Sequence, residues 1–233
     1  MAVIQRTKSF IKATFPGSAG IYRRVRGIRR ALNLPDPGME EIFSRIYQHN
    51  SWADAESVSG RGSSLARTGV IRSNLPTLLE SVRAKSLLDA ACGDFNWMGN
   101  VDLSGFDYLG SDIVPELIAR NRRLHGSSSK DFVVLDITRN QLPQVDVILC
   151  RDCFIHLSFK EIQAAIGNFK RSNSRFLFAT THTTVRENTD IETGEWRLVN
   201  LQLRPFNFPQ PTQLIIEDHE LGKCLGVWRL EQL

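Results

Sequence analysis

Hydrophobic and polar positions follow two different patterns from Lys85 to the C-terminus. Short apolar runs, typical of buried strands, are separated by segments in which apolar residues recur every three or four positions, as in amphipathic helices. The apolar runs predict strands near residues 86–91, 107–112, 131–136, 145–151, 175–181, 213–218 and 224–231. The helical patterns predict helices near residues 39–50, 71–83, 95–101, 114–125 and 158–171. The sequence therefore predicts an α/β fold with a mostly parallel sheet.

Two regions of the chain depart from this alternation. Residues 183–212 show neither pattern, and long unpatterned loops in compact domains are usually lids or binding loops. The last two predicted strands lie close together without a helix between them. Because only a short connection joins them, we expect an antiparallel pair at one edge of the sheet.

The N-terminus differs in charge from the rest of the chain. Residues 1–35 contain eight basic residues and no acid, whereas the remainder contains 21 basic and 25 acidic residues, a net charge of −4. Apolar residues recur at helical spacing beside the arginines, at Ile21, Val25, Ile28 and Leu32. Residues 1–38 are therefore predicted to be a basic helical extension of a domain at residues 39–233.

Three roles stay open for the extension. It is a helix docked on the domain with its basic face in solvent, a peripheral contact of residues 1–35 with anionic lipid, or a nucleic-acid contact. The mildly acidic domain argues against nucleic acid as a partner, since a domain that grips nucleic acid has a basic working face.

The composition is that of an ordinary soluble protein, with 42% hydrophobic and 23% charged residues. No stretch approaches the ~20 apolar residues of a membrane span, and the N-terminus lacks the apolar core of a secretory signal, so a cytoplasmic location is expected. Four cysteines are too few and too scattered for a disulfide scaffold. Cys150 and Cys153 have the spacing of a zinc or redox pair, but no second Cys or His pair accompanies them. Free cysteines and no metal site are therefore expected.

The most informative segment is Ser86–Asp94, in which an apolar run leads to an acid, a turn around Gly93 and a second acid. It predicts a buried strand that ends in a turn which a ligand can approach closely, because glycine has no Cβ. Dinucleotide oxidoreductases use a similar strand and turn but need the pattern G-x-G-x-x-G to bind a pyrophosphate. A single glycine between two carboxylates suits a cationic or amine-bearing ligand instead, which disfavours an NAD-dependent oxidoreductase.

This segment resembles the first motif of class I S-adenosylmethionine-dependent methyltransferases. From about Trp52 onward the chain resembles a bacterial branch of that family whose substrates are mostly unassigned. The resemblance is carried by residues 56–64, 92–97, 151–157 and 190–196. It implies a Rossmann-like sheet of seven strands, mostly parallel with an antiparallel C-terminal hairpin and helices on both faces, and S-adenosylmethionine as the cofactor. Residues 39–84 would then form a segment of the domain that caps the cofactor.

The residues that end each predicted strand are the candidates for cofactor binding, because ligands of open α/β sheets bind at the carboxyl ends of the strands. Acids end the first three strands, at Asp89, Asp112 and Asp136. Each of them alone could be a turn or helix-capping residue, but three successive strand ends favour a binding site. The resemblance implies that Asp112 binds the ribose hydroxyls and that Ile113 packs on adenine. It also implies that Asp136 and the backbone of Ile137 meet the adenine amine.

Other residues complete the predicted cofactor site. Residues 57–64 form a Gly/Ser loop with the features of an anion cradle, with a plain linker as the alternative. Arg151 is assigned to the same site, and its alternatives are a contact to a substrate carboxylate or phosphate and a salt bridge to a nearby acid. Trp52 is a further candidate to cap the adenine or the acceptor. The predicted cofactor-binding residues are Gly60, Ser63, Asp89, Ala90, Cys92, Gly93, Asp112, Ile113, Asp136, Ile137 and Arg151.

Proton-accepting residues follow the fourth and fifth strands. Asp152 and His156 follow the fourth strand and His182 follows the fifth, so these three are the predicted catalytic residues. Histidine titrates near neutral pH, which suits a general base, and the alternative for each histidine is a structural role. The loop residues expected over the acceptor are Asn188, Asp190, Glu195 and Trp196, and Trp196 and Phe206 either stack on a sugar ring or fix the loop.

These observations predict a methyltransferase that acts on a small-molecule or glycan acceptor, with a base after the fourth strand that deprotonates a hydroxyl. In such a reaction the protein mainly aligns the reactants and excludes water. Two alternatives stay open: methylation of RNA or protein, and a non-catalytic subunit that only binds the cofactor. The net charge of −4 outside the first 35 residues argues against RNA, because phosphate contacts need a basic face.

Overall fold

The computed structural model describes residues 37–233. Residues 1–36 of the predicted basic extension, and with them the membrane contact expected through residues 1–35, lie outside the described residues. The helices are α1 (Met39–Gln48), α2 (Gly69–Ser81), α3 (Pro115–His125) and α4 (Phe159–Arg171). The strands are β1 (Ser86–Ala90), β2 (Asp107–Asp112), β3 (Lys130–Val134), β4 (Val147–Cys150), β5 (Phe176–His182), β6 (Gln213–Asp218) and β7 (Lys223–Arg229).

The seven strands form one sheet in the order β3-β2-β1-β4-β5-β7-β6. The first five strands run parallel, and β7 is antiparallel to both of its neighbours, β5 and β6. The predicted Rossmann-like, mostly parallel sheet with an antiparallel C-terminal hairpin is confirmed. Because β7 runs backwards, its first residue lies at the same sheet edge as the last residue of β5, and Lys223 pairs with His182.

Two apolar layers cover the two faces of the sheet. On one face α2 buries Ile71, Leu75 and Leu79 against alternate strand residues such as Leu87. On the other face α4 packs Ile162, Ala165 and Phe169 over the intervening strand residues. Each fully buried aliphatic side chain contributes roughly 1.5–3 kcal/mol, so these layers hold the sheet as a rigid base for its carboxyl edge.

The segment after β1 corrects one prediction. The helix expected at residues 95–101 does not form; the chain makes turns and a short 3₁₀ segment at Met98–Asn100. Gly93 and Phe95 have φ angles of +57° and +60°, a left-handed backbone that cannot continue a right-handed helix. Phe95, Trp97 and Met98 are nevertheless buried, so their apolar pattern reflected core packing rather than a helix face.

The long segment between β5 and β6 contains neither helix nor strand, as the sequence predicts for residues 183–212. It packs over the face that carries α4, where Val199 and Leu201 are fully buried. Within residues 37–233, no helix combines the length and the apolar character needed to cross a membrane.

Candidate active site

A cavity of about 460 Å³ opens at the carboxyl edge of the sheet, a size typical of pockets for small ligands and cofactors. Helix α1, Trp52 and the loop at residues 58–63 form its outer wall. Its inner wall consists of the residues that follow β1, β2, β3, β4 and β5. Ten predicted site residues line it: Gly60, Ser63, Gly93, Asp112, Ile113, Ile137, Arg151, Asp152, His156 and His182.

The Gly/Ser loop is fastened to the turn after β1 by Asp94. Its carboxylate accepts hydrogen bonds from the Ser57 hydroxyl at 2.9 Å and from the Val58 amide at 2.9 Å. The Asp94 amide in turn donates to the Ser59 hydroxyl at 2.9 Å. The second acid of the motif therefore holds the loop that covers the cavity, a role that the sequence analysis did not assign.

Asp112 lies at the end of β2 with its carboxylate in the cavity wall. It accepts hydrogen bonds from the amides of Gly93 at 3.2 Å and Val114 at 3.1 Å. Burial raises the pKa of this carboxyl group, and the backbone hydrogen bonds partly oppose that rise. Beside it, the apolar residues Ile113, Val114, Leu117, Leu135 and Ile137 line one end of the cavity.

Four of the predicted residues do not line the cavity. Asp89 lies behind the turn, where it accepts a hydrogen bond from the Tyr108 hydroxyl at 2.8 Å, and burial raises its pKa to about 7. Ala90 and Cys92 pack in the core. The carboxylate of Asp136 accepts hydrogen bonds from the amide and the hydroxyl of Thr138, at 2.8 and 2.6 Å. Asp136 is therefore a turn residue, the alternative role that the sequence left open for it.

A cluster of four charges, here called the charge cluster, lies at the other end of the cavity. It consists of Arg151, Asp152, Glu217 and Lys223. Arg151 donates to Glu217 through Nε at 3.0 Å and through Nη2 at 2.7 Å, and its guanidinium lies 5.0 Å from the centre of the Trp97 ring. Lys223 Nζ lies 2.5 Å from Asp152 and 3.5 Å from Glu217. Two cations and two anions are thus paired, and their side chains are largely buried. The salt bridge that was one of the alternative roles for Arg151 is therefore present.

Asp152 is held firmly within the charge cluster. Its φ angle is +54°, a left-handed conformation that costs energy for a residue with a side chain. Its amide donates to the Thr180 hydroxyl at 2.9 Å. Burial alone would raise the pKa of the carboxyl group, but Arg151 and Lys223 together hold that pKa well below its usual range. Asp152 is therefore a permanent anion and a weak base.

Two buried histidines line the same part of the cavity. The His156 ring stacks on Trp52 with the ring centres 4.7 Å apart, and its Nδ1 is 3.0 Å from the carbonyl oxygen of Glu195. Nδ1 of His182 is 3.1 Å from the carbonyl oxygen of Val199. Burial lowers the pKa of each histidine to about 4, so both are neutral at pH 7 and are weaker bases than a solvent-exposed imidazole.

The long loop contributes one predicted acceptor contact to the cavity wall, Trp196. Asn188 instead donates to the carbonyl groups of Asn200 and Arg204, at 2.8 and 2.9 Å. Asp190 accepts from the amide of Phe159 at 2.7 Å, at the start of α4. These two residues therefore fix the loop. Phe206 also packs within the structure, with its ring centre 5.3 Å from that of Phe159.

Among residues 37–233, no three or more His, Cys, Asp or Glu side chains are grouped so that they could hold a metal ion. All four cysteines are free thiols.

Comparisons with known proteins agree with this geometry. A protein-family model described as a methyltransferase domain matches residues 88–174. No curated protein matches the sequence. The structure is similar to that of the N-methyltransferase NodS from Bradyrhizobium japonicum WM9 in complex with S-adenosyl-L-homocysteine, at 16% identity over 79% of this chain and 97% of that chain, with a TM-score of 0.57. It is also similar to magnesium protoporphyrin IX methyltransferase (ChlM) from Synechocystis PCC 6803 with bound SAM, at 14% identity over 82% of this chain and 95% of that chain, with a TM-score of 0.53. The predicted fold is confirmed, and the predicted resemblance to a methyltransferase is confirmed over residues 88–174.

Proposed function

We propose that this protein is a class I S-adenosylmethionine-dependent methyltransferase and that it methylates a hydroxyl oxygen of a small-molecule or glycan acceptor. The observation that carries the proposal is the position of His156, a buried imidazole in the wall of the cavity. At pH 7 the imidazole is in the neutral form from which a general base accepts a proton.

The cavity wall fits the cofactor. The Asp112 carboxylate lies beside an apolar slot, an arrangement that can accept hydrogen bonds from ribose hydroxyls while adenine packs on Ile113 and Ile137. Gly60, Ser63 and Gly93 line the part of the cavity where the methionine moiety would lie. The bound cofactor supplies an electrophilic methyl group on a sulfonium.

The protein's own contribution is to align the acceptor and to move one proton. His156 would hold the proton that the acceptor hydroxyl loses when its oxygen takes the methyl group supplied by the cofactor. Asp152 is less suited to this role, because Arg151 and Lys223 hold the pKa of its carboxyl group well below its usual range and below that of His156. We assign Asp152 instead to accepting a hydrogen bond from the acceptor, and His182 to the same wall as a second candidate base.

Cavity size and charge support a small, uncharged acceptor. About 460 Å³ must hold the cofactor as well as the reacting part of the acceptor, which limits a macromolecule to inserting one end. The charge cluster is internally neutral, so it offers hydrogen bonds without selecting a net charge. Trp52 and Trp196 provide flat apolar surfaces suited to a sugar ring. ChlM, one of the structural neighbours, is a methyltransferase of a small molecule.

The basic N-terminal segment fits a glycan acceptor on a lipid. Residues 1–35 carry eight basic residues and no acid, which favours contact with an anionic membrane surface from the cytoplasmic side. An enzyme held there would meet lipid-linked glycans. Binding of the full chain to vesicles with and without anionic lipid tests this part of the proposal.

The main test is transfer of a labelled methyl group from S-adenosylmethionine to a panel of hydroxylated small molecules and glycans. Replacement of His156 by Ala should lower the turnover number by about 10²–10⁴-fold, the usual contribution of a general base. Calorimetric titration should show unchanged affinity for the cofactor in that variant.

Control variants separate the alternatives. His182→Asn tests the second histidine, and full activity in His156→Ala with loss in His182→Asn would move the base to His182. Cofactor binding without transfer to any acceptor would favour a non-catalytic subunit. Transfer to RNA or protein but to no small molecule would overturn the proposed acceptor class.

A further inference from the structure

Residues 194–197 of the long loop pair with the turn that carries His156. The Gly194 amide donates to the carbonyl oxygen of His156 at 2.9 Å, and the Arg197 amide donates to that of Ile155 at 3.1 Å. Between these two bonds, the Glu195 carbonyl oxygen lies 3.0 Å from Nδ1 of His156. Since a carbonyl oxygen can only accept, this contact places the proton of the neutral imidazole on Nδ1 and leaves Nε2 as the nitrogen with a lone pair.

The side chain of Arg197 holds these two segments together. Its Nη1 donates to the carbonyl oxygen of Phe154 at 2.5 Å, and its Nη2 donates to that of Leu157 at 2.7 Å. Its Nε donates to the carbonyl oxygen of Thr189 at 3.3 Å, within the loop itself. One guanidinium therefore joins the start of the loop to both ends of the turn that contains His156.

Arg197 is unusual in its surroundings. The residue is only 9% exposed, and within residues 37–233 it forms no ion pair with a carboxylate. Burial lowers its pKa to about 10, so it remains a cation at pH 7. Burial of a cation whose contacts are carbonyl groups and the face of the Phe159 ring carries a desolvation penalty. A neutral side chain in the same space would not carry that penalty.

Arg197 itself lies outside the cavity, whereas its neighbours Trp196 and Leu198 both line it. The side chains of this segment therefore alternate: Trp196 and Leu198 line the cavity, and Arg197 between them contacts the turn. Substitution of Arg197 therefore leaves the lining residues themselves unchanged.

We propose that Arg197 is a positioning residue for His156: it clamps the long loop onto the 154–157 turn, so that the Glu195 carbonyl fixes the tautomer in which Nε2 accepts the proton. The inference rests on the proposed function, since it assigns a catalytic consequence to the tautomer of the proposed base. It adds a second part of the active site, from a segment about 40 residues away in sequence, to the strand ends that the fold itself supplies.

The test measures the tautomer directly. Long-range ¹⁵N–¹H NMR of the full chain, labelled on histidine, distinguishes Nδ1–H from Nε2–H, and the His156 signals are assigned by their loss in His156→Gln. Wild type should show Nδ1–H. Arg197→Met should show a mixture or the Nε2–H form, and Arg186→Ala, an exposed arginine of the same loop, should match wild type.

Kinetics provide the second readout. With an acceptor from the panel, Arg197→Met should lower the turnover number by about tenfold or more while the KM for S-adenosylmethionine stays within about twofold, because the substitution changes the base and not cofactor binding. Arg197→Gln keeps one amide donor and should lie between Met and wild type; it also decides the matter if the Met variant fails to fold.

A wild-type tautomer in Arg197→Gln or Arg197→Met would overturn the proposal. Failure of the proposed function looks different: no methyl transfer by wild type, with the tautomer change on substitution still present.

Discussion

The hydroxyl of Ser59 occupies the space that a side chain at Gly93 would need. A Cβ atom built on Gly93 would lie 2.2 Å from Ser59 Oγ and 3.0 Å from Ser59 Cβ. Gly93 also has a φ angle of +57°, which side chains other than glycine adopt at a cost. The missing side chain thus serves the closure of the Gly/Ser loop over the turn as well as the approach of a ligand.

Gly93→Ala should therefore displace the loop. We expect the free energy of unfolding to fall by about 1–3 kcal/mol and cofactor affinity to fall by about tenfold or more. Gly105→Ala is the matched control, because Gly105 has a φ angle of +83° but nothing within 4 Å of its built Cβ. It shares the backbone strain without the clash, and should leave cofactor affinity unchanged in calorimetric titration.

The double variant Ser59→Gly/Gly93→Ala separates clash from strain. Removal of the hydroxyl frees the space, so the double variant should lose less stability than the sum of the two single variants. Additive losses would show that the contact between the two residues is not the cause.

The two acids that end β2 and follow β3 should differ in their effect on the cofactor. Asp112→Ala should weaken S-adenosylmethionine binding by about 10- to 100-fold, the value of hydrogen bonds to a charged group. Asp136→Ala should leave affinity within about twofold and reduce stability instead, because its carboxylate bonds to Thr138 within a turn. Equal losses of affinity would restore Asp136 to the cofactor site.

Adjacent acids of β6 should differ sharply in their effect on stability. Glu217→Gln removes one of the two buried carboxylates of the charge cluster, which leaves two cations with one anion, and should lower the free energy of unfolding by about 3–5 kcal/mol. Asp218→Asn removes an ion pair with Arg67 whose side chains are 22% and 36% exposed, and should cost about 1 kcal/mol or less. Urea unfolding of both variants measures the difference, and similar losses would mean that the charge cluster contributes little.

His182 should make the fold sensitive to acid. Its pKa is about 4 in the folded protein, because burial disfavours its charged form, against an ordinary value of 6.5. The unfolded chain therefore takes up a proton at a higher pH than the folded one. The free energy of unfolding should decrease by on the order of 3 kcal/mol as the pH falls from about 6.5 to about 4.

The check is urea unfolding of wild type and His182→Asn between pH 7.5 and 4.5. The stability advantage of wild type over the variant should shrink as the pH falls. Asp89, with its raised pKa of about 7, changes stability in the opposite direction over this range, but it is present in both proteins and cancels in the difference. A constant difference would contradict the burial argument.

The sequence predicted much of the fold, because buried strands need apolar runs and the acids and histidines after them mark the sheet edge. Its limits have physical causes. Asp136 has the predicted position after a strand, yet its carboxylate accepts local hydrogen bonds from Thr138 and does not line the cavity. The helix predicted at residues 95–101 had the correct apolar content, but left-handed residues break it.

The missed half of the charge cluster depends on strand pairing. Glu217 and Lys223 are 66 and 72 residues beyond Arg151. Glu217 lies near the carboxyl end of β6 and Lys223 at the start of the reversed strand β7, so the hairpin brings both to the edge where β4 ends. The available signal was the acidic end of β6 and the lysine that opens β7, on either side of the hairpin turn. The hairpin is predicted from the sequence, whereas the position of its polar ends at the site is not.

Because of the strand order, two separate stretches of the sequence form the inner wall of the cavity. In the inner wall, the residues up to Ile137 follow β1, β2 and β3, and the residues from Arg151 onward follow β4 and β5 or belong to the C-terminal hairpin. Substitutions can therefore accumulate in the second stretch while the first stays unchanged. Under the proposed function, such substitutions would alter the acceptor wall and leave Gly93, Asp112 and Ile137, the residues proposed to bind the cofactor, in place.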